Sequence, residues 1–379
     1  MRKLLLFLES RASYGYSKNI ISLLKKKKKF KFKIKNFVSG THLSKELGNS
    51  FKDILKDKIK IDYSFRFNPK EKNITKSIGQ LIVKTNKIIN DWKPDVIIIF
   101  GDRIELMGVA IAAVYSETIL AHVQAGDKSG HIDDLTRMAL AKLAHIHFPA
   151  TEKAKKRLIK LGEEKFRIFK VGAPQLDDIK YKSLKKNQII KDKGKIINLK
   201  NLKYLVILQH SVYEDKNKYE DIFEKTLKAA IKTKLKIYII YPNYDPGYKL
   251  IIKKIKQYNK LSKNIYIFKH LERGQFLKLA LHSQCLIGNS SSGILESSSL
   301  KIGVVNIGNR QQGREQNRNI INSNYSEKSI YKSINKAILI KKKISNIKNI
   351  HGDGKSSPRI INILAKINKK KFLIKKTTY

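Results

Sequence analysis

Carboxylate and imidazole side chains are concentrated in one stretch of the sequence, between His122 and Arg137. This stretch carries Asp127, Asp133 and Asp134, and clustered carboxylates can hold their pKa values apart, so that one acts as an acid and another as a base near neutral pH. Asp133 and Asp134 also fall in the first turn of a predicted helix, where the dipole favours acidic side chains without any catalytic role. Arg137 follows one turn later, where it can pair with both. The density of the cluster nevertheless favours proton-transfer chemistry.

A further carboxylate, Asp102, stands in the segment Gly101-Asp102-Arg103, directly after the apolar run Val96–Phe100. A carboxylate at the end of a buried strand is costly unless it is paired or takes part in chemistry. Arg103 could simply be its partner, but we favour a functional role for Asp102.

Anion-binding groups follow predicted strands in both halves of the chain. Only 12 of the 80 basic residues are arginine, and arginine is required where a phosphate or carboxylate needs a planar, two-pronged contact. Arg11 follows the first predicted strand, and Arg310 and Arg314 lie in a glycine-bearing segment after a later one. The segment Gly288–Gly293 adds serine and glycine amides that can cradle an anion without a lysine. These groups predict a phosphate-bearing ligand.

Polar residues of the second half extend this prediction to a nucleotide. Ser290 and Ser291 are the expected phosphate contacts, and Glu296 on the following helix could hold ribose hydroxyl groups. His210 and Asn243 each follow a predicted strand, where a bound ligand would meet them. A nucleotide with a diphosphate would satisfy all of these groups. No P-loop, GxGxxG, HExxH or metal-spaced Cys/His set is present, so we expect no metal site.

Short apolar runs alternate with helical patterns along most of the chain, which indicates βαβ units and doubly wound parallel sheets. The predicted strands are Leu4–Leu8, Asp95–Phe100, Ile119–Val123, Phe166–Val171, Tyr204–Leu208, Ile237–Tyr241, Ile265–Phe268, Cys285–Ile287 and Val304–Ile307. We therefore predict an α/β fold with two Rossmann-like domains that face a central cleft. The predicted limits are 1–180 for the domain with the carboxylates, 181–203 for a linker, 204–355 for the nucleotide-binding domain and 356–379 for a basic helix or tail.

The net charge of +49 raises the question of a nucleic-acid or membrane partner. Lysine, isoleucine and asparagine are enriched together, which an A+T-rich coding sequence would produce at tolerant surface positions, and the lysines are spread along the whole chain. We therefore expect no nucleic-acid partner.

The apolar run after Met1 ends at Glu9, and no apolar run approaches the ~20 residues of a membrane span. We expect a soluble, cytoplasmic protein without stable membrane insertion. The single Cys285 excludes a disulfide framework and is most simply a small buried residue.

An ordered set of short motifs resembles the hydrolysing UDP-N-acetylglucosamine 2-epimerases, of the sialic- and legionaminic-acid type. None of the motifs is specific alone, but together they extend from residue 10 to about residue 320. They are Ser10-Arg11-Ala12, Gly40-Thr41-His42, Gly101-Asp102-Arg103, Ile132-Asp133-Asp134, Lys142-Leu143-Ala144-His145, Val171-Gly172-Ala173-Pro174, Gln209-His210, Pro242-Asn243, Gly288-Asn289-Ser290-Ser291 and Arg310-Gln311 with Gly313-Arg314.

The resemblance implies a GT-B-type fold with the nucleotide against the second domain, no cofactor, and a homo-oligomer, dimer or tetramer. It implies that UDP leaves a UDP-sugar by elimination across C1–C2 and that water then adds to the glycal-like intermediate. The implied catalytic residues are Asp102, Asp127, Asp133, Asp134 and His210, and the implied substrate-binding residues are Arg11, His42, Arg103, Arg137, Asn243, Ser290, Ser291, Glu296, Arg310 and Arg314. UDP-N-acetylglucosamine is the expected substrate.

Several positions depart from the family pattern. The family commonly has other residues at Phe100, Ala125, Asp127, Met138 and Ser211. Fewer polar partners around the sugar would suit a substrate without the 6-hydroxyl group, such as a nucleotide-linked 2,4-diacetamido-2,4,6-trideoxyhexose, which is the alternative substrate. A GT-B glycosyltransferase is a weaker alternative, because transfer to an acceptor does not need Asp102 together with Asp133 and Asp134.

Overall fold

Two parallel six-stranded sheets, one in each half of the chain, confirm the predicted class of two Rossmann-like, doubly wound domains. The structure is a computed structural model that describes residues 1–26, 32–43, 51–67, 74–130, 133–192, 195–243, 245–376 and 378. The chain divides into two units: unit 1 contains Met1–Lys128, Ile132–Asp178 and His351–Tyr379, and unit 2 contains Ser129–His131 and Ile179–Ile350.

The sheet of unit 1 has the strand order β3-β2-β1-β4-β5-β6, and all neighbours are parallel. Its strands are β1 (Arg2–Leu8), β2 (Phe32–Val38), β3 (Tyr63–Ser64), β4 (Val96–Phe100), β5 (Ile119–Val123) and β6 (Ile146–Phe148). Its helices are α1 (Arg11–Lys26), α2 (Phe51–Lys56), α3 (Ile74–Trp92), α4 (Glu105–Tyr115), α5 (Asp133–Leu143), α6 (Glu152–Lys160), α14 (Ser356–Lys366) and α15 (Lys369–Leu373).

The main sheet of unit 2 repeats this topology, with the parallel order β11-β10-β9-β12-β13-β14. Its strands are β9 (Tyr204–Leu208), β10 (Lys236–Ile240), β11 (Ile265–Phe268), β12 (Cys285–Gly288), β13 (Gly303–Ile307) and β14 (Ile320–Ser323). Its helices are α7 (Tyr181–Lys186), α8 (Tyr219–Ile231), α9 (Tyr248–Leu261), α10 (Arg273–His282), α11 (Ser291–Leu295), α12 (Ser297–Leu300) and α13 (Glu327–Ile340). A two-stranded antiparallel sheet, β7 (Ile189–Asp192) with β8 (Lys195–Asn198), precedes them.

The central strands are mainly apolar because helices cover both faces of each sheet. Every residue of β4, β5 and β13 is buried, and the alternate residues of β4 pack into different core clusters of unit 1. The β1–β4 and β9–β12 pairs are the points at which the strand order reverses, and ligands of such sheets bind near the carboxyl ends of the strands there. Cys285 is buried as expected, and burial raises the pKa of its thiol to about 12.

One predicted strand, Phe166–Val171, is wrong. Residues Lys165–Arg167 form a 3-10 turn, and Ile168 makes a single parallel bridge with His147 of β6. The strand at this edge is β6, which was missed, as was β14, because a run of three or four residues with polar members gives a weak periodic signal.

The predicted limits of the linker and tail also differ from the structure. The stretch 181–203 is not a bare linker, since it folds into α7 and the β7–β8 hairpin, and Ile190 and Leu199 are buried in a core cluster of unit 2. Its Lys/Asn-rich composition masked the two isoleucine pairs, Ile189-Ile190 and Ile196-Ile197, from which the two strands form. The segment from His351 onward belongs to unit 1, where Ile360, Ile361 and Leu364 of α14 join the core of β1 and β4.

None of the described helices is long and apolar enough to cross a membrane.

Candidate active site

The loop after β4 presents Asp102, and the neighbouring strand fixes the backbone there. Gly101 has a left-handed φ of +85°, and its N–H donates to Val123 O at 3.0 Å. The imidazole Nε2 of His122 lies 2.7 Å from Gly101 O. Burial lowers the pKa of His122 to about 4, so the ring is neutral near pH 7 and its Nε2–H donates to this carbonyl. His122 is thus a support for the Asp102 loop that the sequence prediction did not assign a role.

Arg137 of α5 brings two of the predicted carboxylates, Asp102 and Asp134, together. Its guanidinium forms ion pairs with the Asp102 and Asp134 carboxylates, and its Nη1 lies 3.3 Å from Asp127 O. The Arg137 side chain is 1% exposed, whereas those of Asp102 and Asp134 are 21% and 19% exposed. A buried guanidinium therefore holds two accessible carboxylates side by side, which is a suitable arrangement for proton transfer to and from a sugar carbon.

The segment after β5 brings Asp127 into the same cluster through an unusual backbone path. Gln124 and Gly126 both have φ of +68°, and a Cβ at Gly126 would lie 2.6 Å from Ala154 O of α6. Arg157 of α6 also donates to Gly126 O. Asp127 is buried, and Asp133 is half-buried in the first turn of α5. All four predicted carboxylates thus lie on the loops and the helix start that follow β4 and β5.

Two buried glutamates near the end of β1 were missed by the sequence prediction. Glu9 and Glu105 are each 1% exposed, and a Cβ at Gly40 would lie 2.3 Å from Glu9 O and 3.2 Å from Glu105 Oε1. Burial and the neighbouring Glu105 raise the pKa of Glu9 to about 8, so its carboxyl is protonated at neutral pH. An acidic residue immediately after an apolar strand was the available signal, as at Asp102.

The three remaining substrate-binding residues predicted in unit 1 are His42, Arg103 and Arg11. His42 is fully buried in a 3-10 turn, with its ring edge-on to Tyr14 at a centroid distance of 6.1 Å. Arg103 Nε lies 3.6 Å from Glu105 Oε2, so Arg103 pairs with Glu105. Arg11 is the first residue of α1, and its side chain lies outside what the structure describes. Substrate contacts by these three residues stay predictions.

In unit 2, Asn289 connects the ends of two adjacent strands and so positions His210. Its amide accepts from His210 N at 2.7 Å and donates to His210 O at 2.9 Å. The ring Nδ1 of His210 accepts from Asn243 N at 2.9 Å, so a neutral His210 carries its proton on Nε2. Gly288, just before Asn289, approaches Leu208 O so closely that a Cβ would lie 2.1 Å from it.

The loop after β13 adds the predicted arginines to this group. Arg310 Nη1 donates to Asn289 O at 3.1 Å, and its Nη2 lies 3.9 Å from Asp245 Oδ2. Gln311 also donates to Asn289 O, and Arg314 N donates to Gln311 O at 3.1 Å. The structure therefore brings His210, Asn243 and Arg310 together around Asn289, and Arg314 follows in the same turn.

A second polar group lies at the start of α11. Ser290 caps this helix, and Ser292 Oγ donates to Glu296 Oε2 at 3.0 Å. Arg273 of α10, which was not predicted, donates to Glu296 Oε1 at 3.0 Å and neutralises it. Ser291 is the first residue of α11 and is half-buried. Within the described residues, no group of three or more His, Cys, Asp or Glu side chains could hold a metal ion.

Comparison with solved structures confirms the predicted GT-B-type fold. The S. aureus MnaA–UDP complex superposes with a TM-score of 0.80 over all of both chains, at 19% identity. The likeness at this identity concerns the fold.

Sequence comparison then identifies the family. The family model for UDP-N-acetylglucosamine 2-epimerase matches residues 24–365, and the chain belongs to this family. It is 33% identical over 374 residues to the UDP-N,N'-diacetylbacillosamine 2-epimerase (hydrolyzing) of Legionella pneumophila, covering 97% of this chain and 96% of the relative. It is 27% identical to the UDP-N-acetylglucosamine 2-epimerase of Neisseria meningitidis serogroup B, covering 89% and 88%.

Proposed function

We propose that the protein is a hydrolysing 2-epimerase that converts a UDP-linked 2,4-diacetamido-2,4,6-trideoxyhexose into the free manno-configured sugar and UDP. The observation that supports the reaction is that buried Arg137 pairs with the Asp102 and Asp134 carboxylates and reaches the backbone carbonyl of Asp127, while Asp133 stands next to Asp134 in the first turn of α5. The support for the sugar is the similarity over 97% of this chain to the Legionella pneumophila enzyme, a UDP-N,N'-diacetylbacillosamine 2-epimerase.

The first half of the proposed reaction removes UDP. A carboxylate of the cluster takes the proton from C2, the C1–C2 double bond forms, and the electrons of the C1–O bond leave with the diphosphate of UDP. Four carboxylates provide both a base for C2 and an acid for the leaving oxygen, and general acid–base assistance of this kind contributes roughly 10²–10⁴-fold to a rate.

The second half restores two bonds. Water adds to C1 of the glycal-like intermediate as a carboxylate accepts the water proton, and C2 is reprotonated from the opposite face. Because acid and base exchange tasks between the two halves, the cluster needs more than one carboxyl group that can gain and lose a proton. Asp102, Asp127, Asp133 and Asp134 are the proposed groups.

The polar groups of unit 2 are the proposed nucleotide contacts. Arg310 and Arg314 would neutralise the departing diphosphate, and His210 would donate to it from Nε2. Ser290 and Ser291 would bind its β-phosphate. Glu296 would accept from the ribose hydroxyl groups, with its charge balanced by Arg273. His210 and Arg310 are held in place by hydrogen bonds with the backbone of Asn243 and with the backbone and amide of Asn289, so these side chains are pre-arranged before a ligand binds.

UDP-N-acetylglucosamine is the second candidate substrate, supported by the similarity to the Neisseria meningitidis enzyme. Two of the departures from the family pattern do not help to choose between the two sugars. Phe100 and Ala125 are fully buried in the core of unit 1. The preference for the diacetamido sugar therefore relies on sequence similarity. From the family resemblance we also expect a cytoplasmic homo-oligomer, a dimer or tetramer, which light scattering of the purified protein would measure.

The experiment that tests the proposal follows each sugar by proton NMR in D₂O. Purified protein is incubated separately with UDP-N-acetylglucosamine and with the UDP-linked 2,4-diacetamido-2,4,6-trideoxyhexose. We expect free manno-configured sugar that carries deuterium at C2, formed faster from the diacetamido substrate. Faster conversion of UDP-N-acetylglucosamine would reverse the sugar assignment.

A negative result has a defined meaning. If both sugars are recovered intact and without deuterium at C2, the 2-epimerase proposal fails for UDP donors, and GDP-linked sugars are tested next. Release of UDP only when an acceptor is present would instead indicate a glycosyltransferase.

A further inference from the structure

The ammonium group of Lys375 contacts three backbone carbonyls and one carboxylate. Its Nζ lies 2.9 Å from Ala141 O, 2.6 Å from Lys142 O and 2.8 Å from Ala144 O. It also lies 2.6 Å from the carboxylate of Glu163, which is fully buried, and the Lys375 side chain is only 16% exposed. Burying an ammonium group is costly unless it is paired and hydrogen-bonded, and here it is both.

The three carbonyl groups belong to the C-terminal end of α5. The last carbonyls of a helix have no partner within the helix, and a cation there also complements the helix dipole. Lys375 therefore acts as a cap that comes from a distant part of the chain and fixes the end of α5.

The other end of α5 carries the candidate catalytic cluster. Asp133 and Asp134 form its first turn, and Arg137 reaches Asp102 from its second turn. A helix of this length moves largely as a rigid rod of ~1.5 Å per residue, so a shift at one end is transmitted to the other. Catalytic rates are sensitive to such shifts, since a misplacement of about 1 Å can cost roughly 10²-fold.

The segment that carries Lys375 is itself firmly held on unit 1. Arg167, which is fully buried, donates from Nη1 to Phe372 O at 2.6 Å and from Nη2 to Ile374 O. Lys376 N donates to Glu164 Oε2 at 3.3 Å, and the Phe372 ring packs edge-on against Phe166 at 5.4 Å. These contacts fix the position of Lys375, which can therefore determine where the C-terminal end of α5 lies.

Glu163 connects the cap to β6 as well. Its Oε2 is shared between Lys375 Nζ and His147 Nε2, which lies 2.8 Å away, and Lys142 Nζ lies 3.6 Å from its Oε1. Burial is the chief influence that lowers the pKa of Lys375, and the Glu163 carboxylate opposes this.

We propose that Lys375 is a positioning residue for the reaction, which acts by capping α5 and thereby sets the geometry of Asp133, Asp134 and Arg137. The proposal rests on the proposed function for its catalytic meaning, but the anchoring of α5 can be measured without any substrate.

The test compares Lys375→Met with a matched variant, Lys341→Met. Lys341 is also a partly buried lysine whose Nζ donates to a helix-end carbonyl, Ser283 O after α10, but it belongs to unit 2. Hydrogen exchange of the full-length proteins, read by mass spectrometry on peptides from residues 133–143, should be at least about tenfold faster in Lys375→Met and unchanged in Lys341→Met. In the UDP-sugar assay, kcat should fall about 10- to 100-fold in Lys375→Met with KM within about twofold, while Lys341→Met keeps the wild-type kcat.

Each outcome decides a different point. Unchanged exchange of α5 in Lys375→Met overturns the proposal, as does faster exchange with a wild-type kcat. If wild-type protein converts no sugar, the proposed function fails, and the exchange data still decide whether Lys375 anchors α5. If Lys375→Met does not fold, Glu163→Gln takes its place: a several-fold loss of kcat with unchanged KM supports the proposal, and a wild-type kcat overturns it.

Discussion

Arginine is scarce in this chain, and most of the described arginines make specific hydrogen bonds to carboxylates or backbone carbonyls. Arg137 and Arg310 organise the two polar clusters, and their contacts with substrate stay predictions. Arg2 and Arg167 instead donate to backbone carbonyls of the segment from residue 351 onward. Arg359, within that segment, donates to Val171 O and to the Asp353 carboxylate. The small number of arginines therefore pointed to positions where a guanidinium makes specific hydrogen bonds. Residue type alone could not show whether the partner is a bound ligand or the protein's own backbone.

The role of Asp102 gives the first prediction. Asp102→Asn keeps the size of the side chain but removes the carboxylate, so kcat should fall roughly 10²–10⁴-fold, while the Kd for UDP stays within about twofold. Turnover by NMR and UDP binding by calorimetry measure the two quantities. The control is Asp91→Asn on the exposed surface of α3, which should change neither. A loss of UDP affinity in Asp102→Asn would contradict the catalytic assignment.

His210 gives a second prediction, of the opposite kind. Its ring is held by Asn243 N and its backbone by Asn289, so His210→Ala removes one prearranged donor and should leave the fold intact. We expect the Kd for UDP to rise about tenfold, which corresponds to ~1.4 kcal/mol. Calorimetry measures it, and an unchanged Kd would remove His210 from the nucleotide contacts.

Glu9 gives a third prediction, about pH. Its folded-state pKa of about 8 is above the unfolded value of 4.5, so its contribution to stability is present below pH 4.5 and is lost as the pH rises towards 8. Glu9→Gln lacks this titration and should be more stable than wild type at pH 8 by a few kcal/mol, at ~1.4 kcal/mol per pKa unit, with a smaller difference at pH 5.

Urea unfolding at pH 5, 6.5 and 8 measures this effect. Glu117→Gln, on an exposed glutamate of unit 1, is the control and should follow the wild-type pH profile. Parallel profiles for Glu9→Gln and wild type would mean that Glu9 is not a protonated buried acid.

At the scale of elements, the strongest constraint is the close approach of β12 to β9. Gly288 has a φ of +137°, and an added Cβ would lie 2.1 Å from Leu208 O and 2.6 Å from its carbonyl carbon. Backbone atoms cannot move aside as a flexible side chain can. The strand ends that carry His210 and Asn289 are therefore set by a position that only glycine can occupy.

This constraint gives a fourth prediction. Gly288→Ala should lower the free energy of unfolding by at least about 3 kcal/mol and weaken UDP binding, because strain and a displaced strand end combine. Gly274→Ala is the matched control, since that helical position in α10 has open space and an ordinary φ, and it should be neutral or stabilising by up to ~1 kcal/mol. Urea unfolding and UDP titration measure both variants, and equal behaviour of the two would refute the steric reading.

Most of the strands that were predicted correctly share one property. Strands β1, β4, β5 and β9 are mainly apolar and buried over most of their length, so they carry a signal that does not depend on their neighbours. The missed strand β6 is three residues long and contains His147, which can be buried only because Glu163 meets it from the loop after α6. A partner distant along the chain leaves no local pattern.

The same distinction applies to the candidate site. The carboxylates could be found because they follow strands that were recognised, but the contact of Arg137 with Asp102 spans 35 residues and depends on how α5 packs beside the β4 loop. The burial of His42 was equally invisible, since a motif reveals residue types and not their exposure.

At the scale of the whole molecule, the net charge of +49 is the main electrostatic feature and gives a fifth prediction. Like charges repel most in the compact state, and salt screens this repulsion with a Debye length of ~10 Å at 0.1 M. The melting temperature at pH 7 should therefore rise between 50 and 300 mM NaCl. The increase should largely disappear near pH 10.1, where the net charge approaches zero. A melting temperature that is independent of salt at pH 7 would contradict the prediction.

The interrupted path of unit 1 has a consequence for how the protein is made. Unit 2 is formed by a nearly continuous stretch, Ile179–Ile350, whereas β1 and β4 of unit 1 are covered by α14, which follows unit 2 in the chain. A ribosome adds about 5–20 residues per second, so the larger part of unit 1 emerges many seconds before the helix that completes it. During that interval we expect the apolar face of β1 and β4 to be open to solvent. We expect unit 2 to fold during synthesis, and the incomplete unit 1 to be the part of the nascent chain that chaperones bind.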